Sequence, residues 1–274
     1  MKLAAALLRL ATFMILYSQL TACADHTARL QAQSQQSGAD LILLYGEPFD
    51  LLAVGHPTTI RTSTLRIYLE GDGKAWASRT QPSSDPSPRD LWWVRLAVSD
   101  IQPSVYLSRP CQFIRSPQCT PALWTGRRFA PEVVTSMDKA IDNLKARYGV
   151  THLELIGYSG GGHLALVLAG LRNDVVQVQT VAGNLDPIAW ARHHQVSTLE
   201  EVTAPGSLTR LRQLPQRHFV GQTDTIVPPA LTRQMVASAG YQCVSIITID
   251  ASHTSGWEAL GAMDFDAPLL CDAP

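Results

Sequence analysis

The chain has 274 residues, of which 46% are hydrophobic, and its formal net charge at pH 7 is −1. This length suits one folded domain with a sizeable core, and this apolar fraction is ordinary for a globular protein. A charge so close to zero gives no indication of binding to nucleic acid or of electrostatic binding to a membrane surface.

Residues 1–22 have the pattern of a secretory signal peptide. Two basic residues, Lys2 and Arg9, stand near its start, and residues 10–20 are mostly apolar. This apolar stretch is short and polar sequence follows it closely, which argues against a membrane-spanning helix. We therefore expect residues 1–22 to be removed from an exported protein.

The run Leu20-Thr21-Ala22-Cys23 resembles the bacterial lipobox, whose cysteine is acylated and becomes the new N-terminus. The resemblance implies that Cys23 carries lipid and anchors the protein to a membrane, whereas an ordinary signal peptide with an incidental cysteine is the alternative. Because Ala24 rather than aspartate follows Cys23, the resemblance favours the outer membrane, facing the periplasm. Residues 23–40, rich in Gln, Ser and Ala, predict a flexible tether, and residues 41–274 form the domain.

Four further cysteines follow Cys23 in the exported part of the chain. An even number in an oxidising compartment indicates two disulfide bonds, for which three connectivities exist. Proximity in sequence favours a short loop closed by Cys111 and Cys119. The other pair, Cys243 and Cys271, would then pin the C-terminal tail to a strand, and four free buried thiols are the alternative.

Apolar runs bounded by turn residues predict the elements of the N-terminal half. Residues 131–148 predict an amphipathic helix, because Pro131 suits a first helical turn and Gly149 suits a helix end. Residues 81–90, rich in proline and serine, and the cysteine-bearing residues 109–128 predict loops. The remaining predictions are strands at 41–44, 49–54, 65–69 and 104–107 and a helix at 91–98.

The strongest functional signal lies where a buried strand at 153–156 meets a helix that begins at Gly160. The intervening Gly157-Tyr158-Ser159-Gly160-Gly161 matches the pattern G-x-S-x-G. A serine at such a turn has a strained backbone that lifts its hydroxyl off the sheet, and the flanking glycines let strand and helix pass closely. We therefore predict that Ser159 is a nucleophile, the alternative being a glycine-rich turn with an incidental serine.

Strands and helices continue to alternate after Ser159, which predicts a mostly parallel sheet with helices on both faces. Residues 187–214 are irregular and partly helical. Open parallel sheets place their sites beyond the carboxyl ends of the strands. Strands are predicted at 175–182, 217–220 and 243–249 with a helix at 229–239, and the chemically suited residues that follow these strands are Asp186, Asp224, Asp250 and His253.

The segments Gly157–Gly161 and Gly221–Pro228, together with His253, resemble the α/β-hydrolase superfamily over about residues 41–260. The Glu-Gly-Asp-Gly run at 70–73 resembles a group of proteobacterial lipoproteins. The superfamily resemblance implies an α/β-hydrolase fold, with a mostly parallel central sheet, helices on both faces and a short cap at about 187–214. It also implies a catalytic triad in the chain order Ser159, Asp224, His253.

The resemblance implies an oxyanion hole as well. Its two donors would be the backbone N–H groups of Asp72, in the loop after a strand, and Gly160, the residue after the serine. Carboxylates beside an oxyanion would repel it, so Glu70 and Asp72 must point away or be paired. Lys74 or Arg79 is the partner that we expect for them, and a plain Gly-Asp-Gly turn is the alternative to an oxyanion loop.

The acid of the triad is a choice between three aspartates. Asp224 lies in a tight turn that leads into a helix, which would fix the direction of its carboxylate. Asp186 precedes Pro187 at the entry to the cap, where a structural turn role explains it. Asp250 is too near His253 in the chain to reach the far ring nitrogen. We therefore favour Asp224.

These features predict a serine hydrolase, most simply an esterase, that forms an acyl-enzyme and needs neither metal nor organic cofactor. Its partners would be a small-molecule or lipid-like ester and, through the N-terminal lipid, a membrane. An acyltransferase, amidase or peptidase would use the same triad. A non-catalytic envelope lipoprotein on a hydrolase scaffold is the alternative outside enzymes.

Overall fold

The computed structural model describes residues 26–57, 62–267 and 269. An eight-stranded sheet forms the centre of the molecule, and six described helices surround it. Within these residue ranges, none of the helices has both the length and the apolar character needed to cross a bilayer.

The sheet is parallel except at one side. Its strand order is β1-β2-β4-β3-β5-β6-β7-β8, in which β2 runs antiparallel to both β1 and β4 and every other neighbouring pair is parallel. The six strands β3 to β8 therefore end at one edge, which we call the carboxyl edge. The strands are β1 Asp40–Leu44, β2 Leu51–Gly55, β3 Thr64–Leu69, β4 Ser104–Leu107, β5 His152–Tyr158, β6 Val175–Val181, β7 Gln216–Gly221 and β8 Val244–Ile249.

The helices lie on both faces of the sheet, as the sequence predicts. Alternate residues of β3 point to opposite sides: Ile67 joins the core that contains α3 and α4, and Tyr68 joins the core that contains α1 and α2. Both side chains have no exposed surface, because β3 is covered on both of its faces. The helices are α1 at 26–37, α2 Trp92–Val98, α3 Pro131–Tyr148, α4 Gly160–Leu171, α5 Pro187–His193 and α6 Pro229–Ala239.

Local signals set the ends of the long helices. Pro131 occupies the first turn of α3, where no backbone donor is lost, and Gly149 ends the helix at a φ of 65°. Helix α6 uses the same pair of signals, with Pro229 at its start and Gly240 at a φ of 66° at its end. Both helices have the bounds that the sequence predicts.

The prediction of a flexible tether is wrong for residues 26–37, which form helix α1. Its Leu30 is fully buried among Trp93, Val94 and other residues on one face of the sheet, and its Ser34 is 2% exposed. The Gln and Ala content that indicated a tether also favours helix, and the buried side chains of Leu30 and Ser34, one turn apart, dock it on the sheet. Residues 1–22 and Cys23 lie outside the described residues.

One of the two predicted disulfides is present. Cys111 and Cys119 are bonded, with a Cα–Cα distance of 5.7 Å, within the irregular segment between β4 and α3. The second predicted pair includes Cys271, which lies outside the described residues, so that pairing stays a prediction.

Helix α1 makes a measurable contribution to stability if it is docked as described. Leu30→Ala should lower the free energy of unfolding by about 2–5 kcal/mol, because it leaves a cavity in a packed core. Leu43→Ala, at a position of β1 that is 38% exposed, is the matched control and should cost less than about 1 kcal/mol. Urea denaturation of both variants measures the difference, and equal values would mean that α1 is not docked in solution.

Candidate active site

Ser159 sits at the turn between β5 and α4, at the carboxyl edge. Its φ of 51° and ψ of −119° are strained for a residue with a side chain. The turn is held by two hydrogen bonds, from the Ser159 N–H to the Val181 carbonyl (3.0 Å) and from the Asn184 N–H to the Ser159 carbonyl (2.9 Å). The surrounding sheet therefore fixes a conformation that the isolated peptide would avoid.

The glycines of the motif have a steric reason. A Cβ at Gly157 would come within 2.3 Å of the Gly161 carbonyl oxygen, and a Cβ at Gly161 would come within 2.4 Å of the Leu69 carbonyl oxygen. No side chain fits at either position without moving backbone. Helix α4 thus begins in direct contact with the end of β3, and this contact brings the loop after β3 beside Ser159.

The structure brings Ser159, His253 and Asp224 into one hydrogen-bonded chain. His253 Nε2 lies 3.0 Å from Ser159 Oγ, and His253 Nδ1 lies 2.8 Å from Asp224 Oδ2. A carboxylate at Nδ1 selects the tautomer with the proton on Nδ1, which leaves Nε2 free to accept the serine proton. The arrangement can therefore withdraw a proton from Ser159.

The carboxylate of Asp224 is buried and fully satisfied. Its Oδ1 accepts hydrogen bonds from the Ile226 and Val227 N–H groups, both at 2.8 Å, so Oδ2 is left for His253. Asp186 instead caps helix α5, accepting from the N–H groups of the second and third helical residues. Asp250 is exposed at the end of β8. The geometry agrees with the choice of Asp224 over the other two.

Tyr158, which the sequence analysis did not single out, holds His253 in place. Its ring stacks on the imidazole with centroids 5.6 Å apart, and its hydroxyl donates to the His253 carbonyl at 2.9 Å. Trp257 Nε1 donates to the same carbonyl at 3.2 Å. Burial raises the pKa of Tyr158, which keeps its hydroxyl a donor. Its position as the first variable residue of G-x-S-x-G was the only sequence signal for it.

The loop at 70–73 lies against the serine turn. A Cβ at Gly71 would come within 3.2 Å of the Ser159 Cβ, so the two backbones are nearly in contact. Among the described residues, the N–H groups of Asp72 and Gly160 have no hydrogen-bond acceptor. Two unpaired backbone donors beside a serine hydroxyl can receive a developing negative charge.

The side chain of Asp72 is paired, but not with the cations that the sequence predicted. Neither Lys74 nor Arg79 contacts it; its carboxylate binds Arg109 Nη1 and lies 3.0 Å from Arg128 Nε. Burial favours the neutral acid, but the charges of Arg128 and Arg109 outweigh it and hold the pKa of Asp72 below its usual value. The sequence did not indicate either arginine, because both lie in an irregular loop, where no periodicity shows the direction of a side chain.

Glu70 is compensated in a different way. It is 2% exposed, and its carboxylate accepts the Gly71 N–H at 2.8 Å and the Tyr106 hydroxyl at 2.9 Å. Gln112 Nε2 donates to the Gly71 carbonyl at 3.0 Å. Glu70 and Gln112 thus hold both polar groups of the Gly71 backbone and fix the loop that presents the Asp72 N–H. Burial raises the pKa of Glu70 to about 7.

A cavity of about 610 Å³ opens beside this cluster. Arg128, the partner of Asp72, forms part of its wall, and so does Trp190, whose Nε1 donates to the Ile226 carbonyl in the turn that carries Asp224. The cavity wall therefore includes one residue that contacts Asp72 and one that contacts the turn of Asp224. Its apolar walls are Trp76, Trp190, Val196 and Leu199.

The remaining sequence predictions concern a metal, the lipidated cysteine and the disulfide. No group of three or more His, Cys, Asp or Glu side chains that could hold a metal occurs in residues 26–57, 62–267 and 269. Cys23, the predicted lipidation site, precedes the described part of the chain, and Cys111 and Cys119 lie in the loop that carries Arg109 and Arg128.

Comparison with solved structures agrees with the fold. An α/β serine hydrolase homologue from Coxiella burnetii matches with a TM-score of 0.56 at 15% identity, over 82% of this chain and 93% of that one. An esterase of Pyrococcus furiosus matches with a TM-score of 0.56 at 13% identity, over 81% and 86%. A membrane phospholipase A, described as a bacterial virulence factor, matches with a TM-score of 0.55 at 14% identity, over 95% and 96%.

Identities this low establish a shared fold and nothing finer. The chain has the α/β-hydrolase fold, with the mostly parallel sheet and the helices on both faces that the sequence predicts. No protein-family profile matches the chain, and no curated protein sequence matches it.

The raised pKa of Glu70 predicts how stability depends on pH. Between the ordinary glutamate value of 4.5 and about 7, the folded state binds a proton that the unfolded state has released. Stability should therefore fall as pH rises through this window, because the unfolded chain gains from ionising Glu70 in water while burial keeps the folded Glu70 protonated. Glu70→Gln should lose less stability than the wild type between pH 5 and pH 8, measured by urea denaturation. Glu258→Gln, at an exposed position, should follow the wild-type curve, and three parallel curves would contradict the prediction.

Proposed function

We propose that this chain is a serine hydrolase that cleaves carboxylic esters through an acyl-enzyme and is anchored in the bacterial envelope by lipid on Cys23. The observation that carries the enzymatic part is the chain Asp224–His253–Ser159, whose serine occupies a strained turn at the carboxyl edge. The fold shared with an esterase of Pyrococcus furiosus supports an ester as the substrate.

The first half of the reaction transfers the acyl group to the enzyme. Ser159 Oγ attacks the ester carbonyl carbon while His253 Nε2 takes the serine proton, and Asp224 stabilises the resulting imidazolium. The carbonyl oxygen becomes an oxyanion that accepts from the N–H groups of Asp72 and Gly160. As the tetrahedral intermediate collapses, the C–O bond to the alcohol breaks and His253 returns its proton to the leaving oxygen.

The second half releases the acyl group to water. A water molecule attacks the acyl carbonyl, His253 Nε2 takes its proton, and the same two N–H groups hold the new oxyanion. Collapse breaks the bond to Ser159 Oγ, which regains the proton from His253. The products of this half are a carboxylic acid and the regenerated serine, and no cofactor takes part.

The charges around the oxyanion position support this mechanism. Asp72 would repel an oxyanion if its carboxylate were unpaired, but the buried Arg109 and Arg128 carry two positive charges against its one negative charge. The net field of this cluster therefore favours negative charge in the tetrahedral intermediate.

An acyltransferase, an amidase or a peptidase would share the acyl-enzyme, and a non-catalytic scaffold would lack it. A panel of p-nitrophenyl esters of different chain length, with p-nitroanilide controls, separates ester from amide cleavage. Added alcohol acceptors separate transfer from hydrolysis. Labelling with a fluorophosphonate separates all of these enzymes from a binding protein.

Replacement of Ser159 tests the proposed nucleophile. Ser159→Ala should remain folded, lose fluorophosphonate labelling and lose about 10⁴- to 10⁶-fold in kcat for the best p-nitrophenyl ester. Ser255→Ala is the matched control, because Ser255 lies on the same edge but bonds only Ser252 and its own loop. Undiminished turnover in folded Ser159→Ala protein would reject the proposed hydrolase.

Replacement of the two competing acids tests the triad. Asp224→Asn should lower kcat about 10⁴-fold, because an amide in place of the carboxylate stabilises the wrong imidazole tautomer. Asp186→Asn is the control and should lose little, since asparagine caps a helix about as well as aspartate. If the Asp186 variant is the inactive one, His253 takes its support from Asp186 and the assignment is wrong.

A further inference from the structure

We propose that the carboxyl edge of the sheet rests on a lipid bilayer, so that Ser159 opens towards the membrane in which the protein is anchored. This inference rests on the proposed function in two respects, acylation of Cys23 and ester cleavage at Ser159. It adds an orientation and a class of substrate, an amphiphilic ester resident in the bilayer.

The path of helix α1 supplies the orientation. The helix is followed by β1, whose first residue, Asp40, pairs with Gly55 at the edge where the parallel strands begin. Residues 26–37 span about 18 Å at the rise of an α-helix. The start of α1 is therefore carried across the face of the sheet towards the carboxyl edge.

Side-chain contacts at the start of α1 agree with this path. Thr27 Oγ1 donates to the Phe113 carbonyl, in the loop that follows β4 at the carboxyl edge. The neighbouring Gln112 donates to the Gly71 carbonyl in the loop beside Ser159. Only one short loop thus separates the N-terminal end of α1 from the candidate active site.

The distance from the lipid to the domain is short. Cys23 precedes His26 by three positions, and three residues reach at most about 11 Å when fully extended. Leu30 fixes α1 to the sheet, so the docked helix cannot lengthen this reach. Acyl chains on Cys23 would then enter the bilayer next to the carboxyl edge, and the opposite edge would face away from the membrane.

The surface of the carboxyl edge suits contact with lipid. Trp76, Ile188, Val196 and Ile226 are between 37% and 49% exposed, and all four follow carboxyl ends of parallel strands. Tryptophan is favoured at the boundary between headgroups and acyl chains. The charge of this end is mixed, because Glu201, Asp250 and Glu258 are exposed there as well as Arg29, Arg79 and Arg89, so the contact rests on the apolar side chains.

Apolar exposure alone does not identify this edge. Ile101, Leu171 and Val176 are exposed near the edge where the strands begin. The position of the proposed anchor distinguishes the two edges, because α1 starts beside the carboxyl edge and ends at the opposite edge.

The cavity supplies the link to substrate. Its apolar walls include Trp76 and Val196, which also belong to the exposed surface of the carboxyl edge. An acyl chain leaving the bilayer can therefore pass from lipid to cavity along apolar surface, and its ester group would then lie near Ser159. A soluble ester would gain nothing from the anchor.

The test uses the full-length acylated protein in vesicles of phosphatidylethanolamine and phosphatidylglycerol that contain a fluorogenic diacylglycerol ester. The comparison variant carries a flexible Gly-Ser linker of about 20 residues before His26, with an r.m.s. reach of about 25 Å. The linker variant should hydrolyse the vesicle-borne ester at least about tenfold more slowly than the wild type. Both should hydrolyse soluble p-nitrophenyl butyrate equally.

Brominated lipids measure the orientation without any catalysis. They should quench tryptophan emission in the wild type, and Trp76→Phe should remove most of the quenched part. Trp124→Phe, at a position 4% exposed, is the control and should leave the quenching unchanged. Wild-type protein whose quenching does not depend on Trp76 overturns the proposal.

Three further outcomes separate the proposal from the function on which it rests. A Cys23 without acyl mass in the intact protein overturns the orientation. Equal and measurable rates of the two proteins on the vesicle-borne ester also overturn it. Absence of turnover on every ester, with Trp76-dependent quenching intact, rejects the proposed hydrolase and supports the orientation.

Discussion

The close approach of helix α4 to the end of β3 is the constraint on which the rest of the site depends. With no Cβ at Gly157 or Gly161, the first turn of the helix lies against the carbonyl oxygens at the end of β3. This contact accompanies the strained backbone of Ser159 and brings the loop that carries Asp72 into near contact with the serine turn. The strain, on the order of 1–3 kcal/mol, is offset by a sheet paired on both sides of β5.

The loop after β3 carries two carboxylates where negative charge would develop, and the fold compensates them differently. Asp72 keeps its charge through two buried arginines that also stack on the ring of Phe129. Glu70 has a backbone N–H and a tyrosine hydroxyl instead of a cation in direct contact, so burial dominates and its pKa rises. The Asp72 carboxylate with its arginines therefore sets the charge near Ser159, and the Glu70 carboxylate holds the backbone of Gly71.

Features that depend on local signals could be predicted from the sequence. Pro131 and Gly149 predicted the ends of α3. Their positions directly after strands pointed to Ser159, Asp224 and His253, which the structure brings within hydrogen-bond distance of one another. Helix α1 was missed because its docking depends on one buried leucine in a polar segment, whose partners lie far away in the chain. Sequence composition cannot distinguish such a helix from a tether.

The partners of Asp72 show the same limit more clearly. Lys74 and Arg79 are close to Asp72 in sequence but do not contact it. Its partners, Arg109 and Arg128, lie in an irregular loop that contains the Cys111–Cys119 disulfide. Ion pairs between segments that are far apart in the chain leave no periodic pattern in the sequence, so they become visible only in the folded structure.

That disulfide-bridged loop connects the features that matter for function. Phe113 accepts from the start of α1, Gln112 holds the Gly71 carbonyl, and Arg128 lies between Asp72 and the cavity. A disulfide that closes so short a loop stabilises the fold by on the order of 2–3 kcal/mol, and the Gln112 and Phe113 contacts lie inside that closed loop. The start of α1, which would follow the proposed anchor, and the loop beside Ser159 therefore bind neighbouring residues of the same disulfide-closed loop, Phe113 and Gln112.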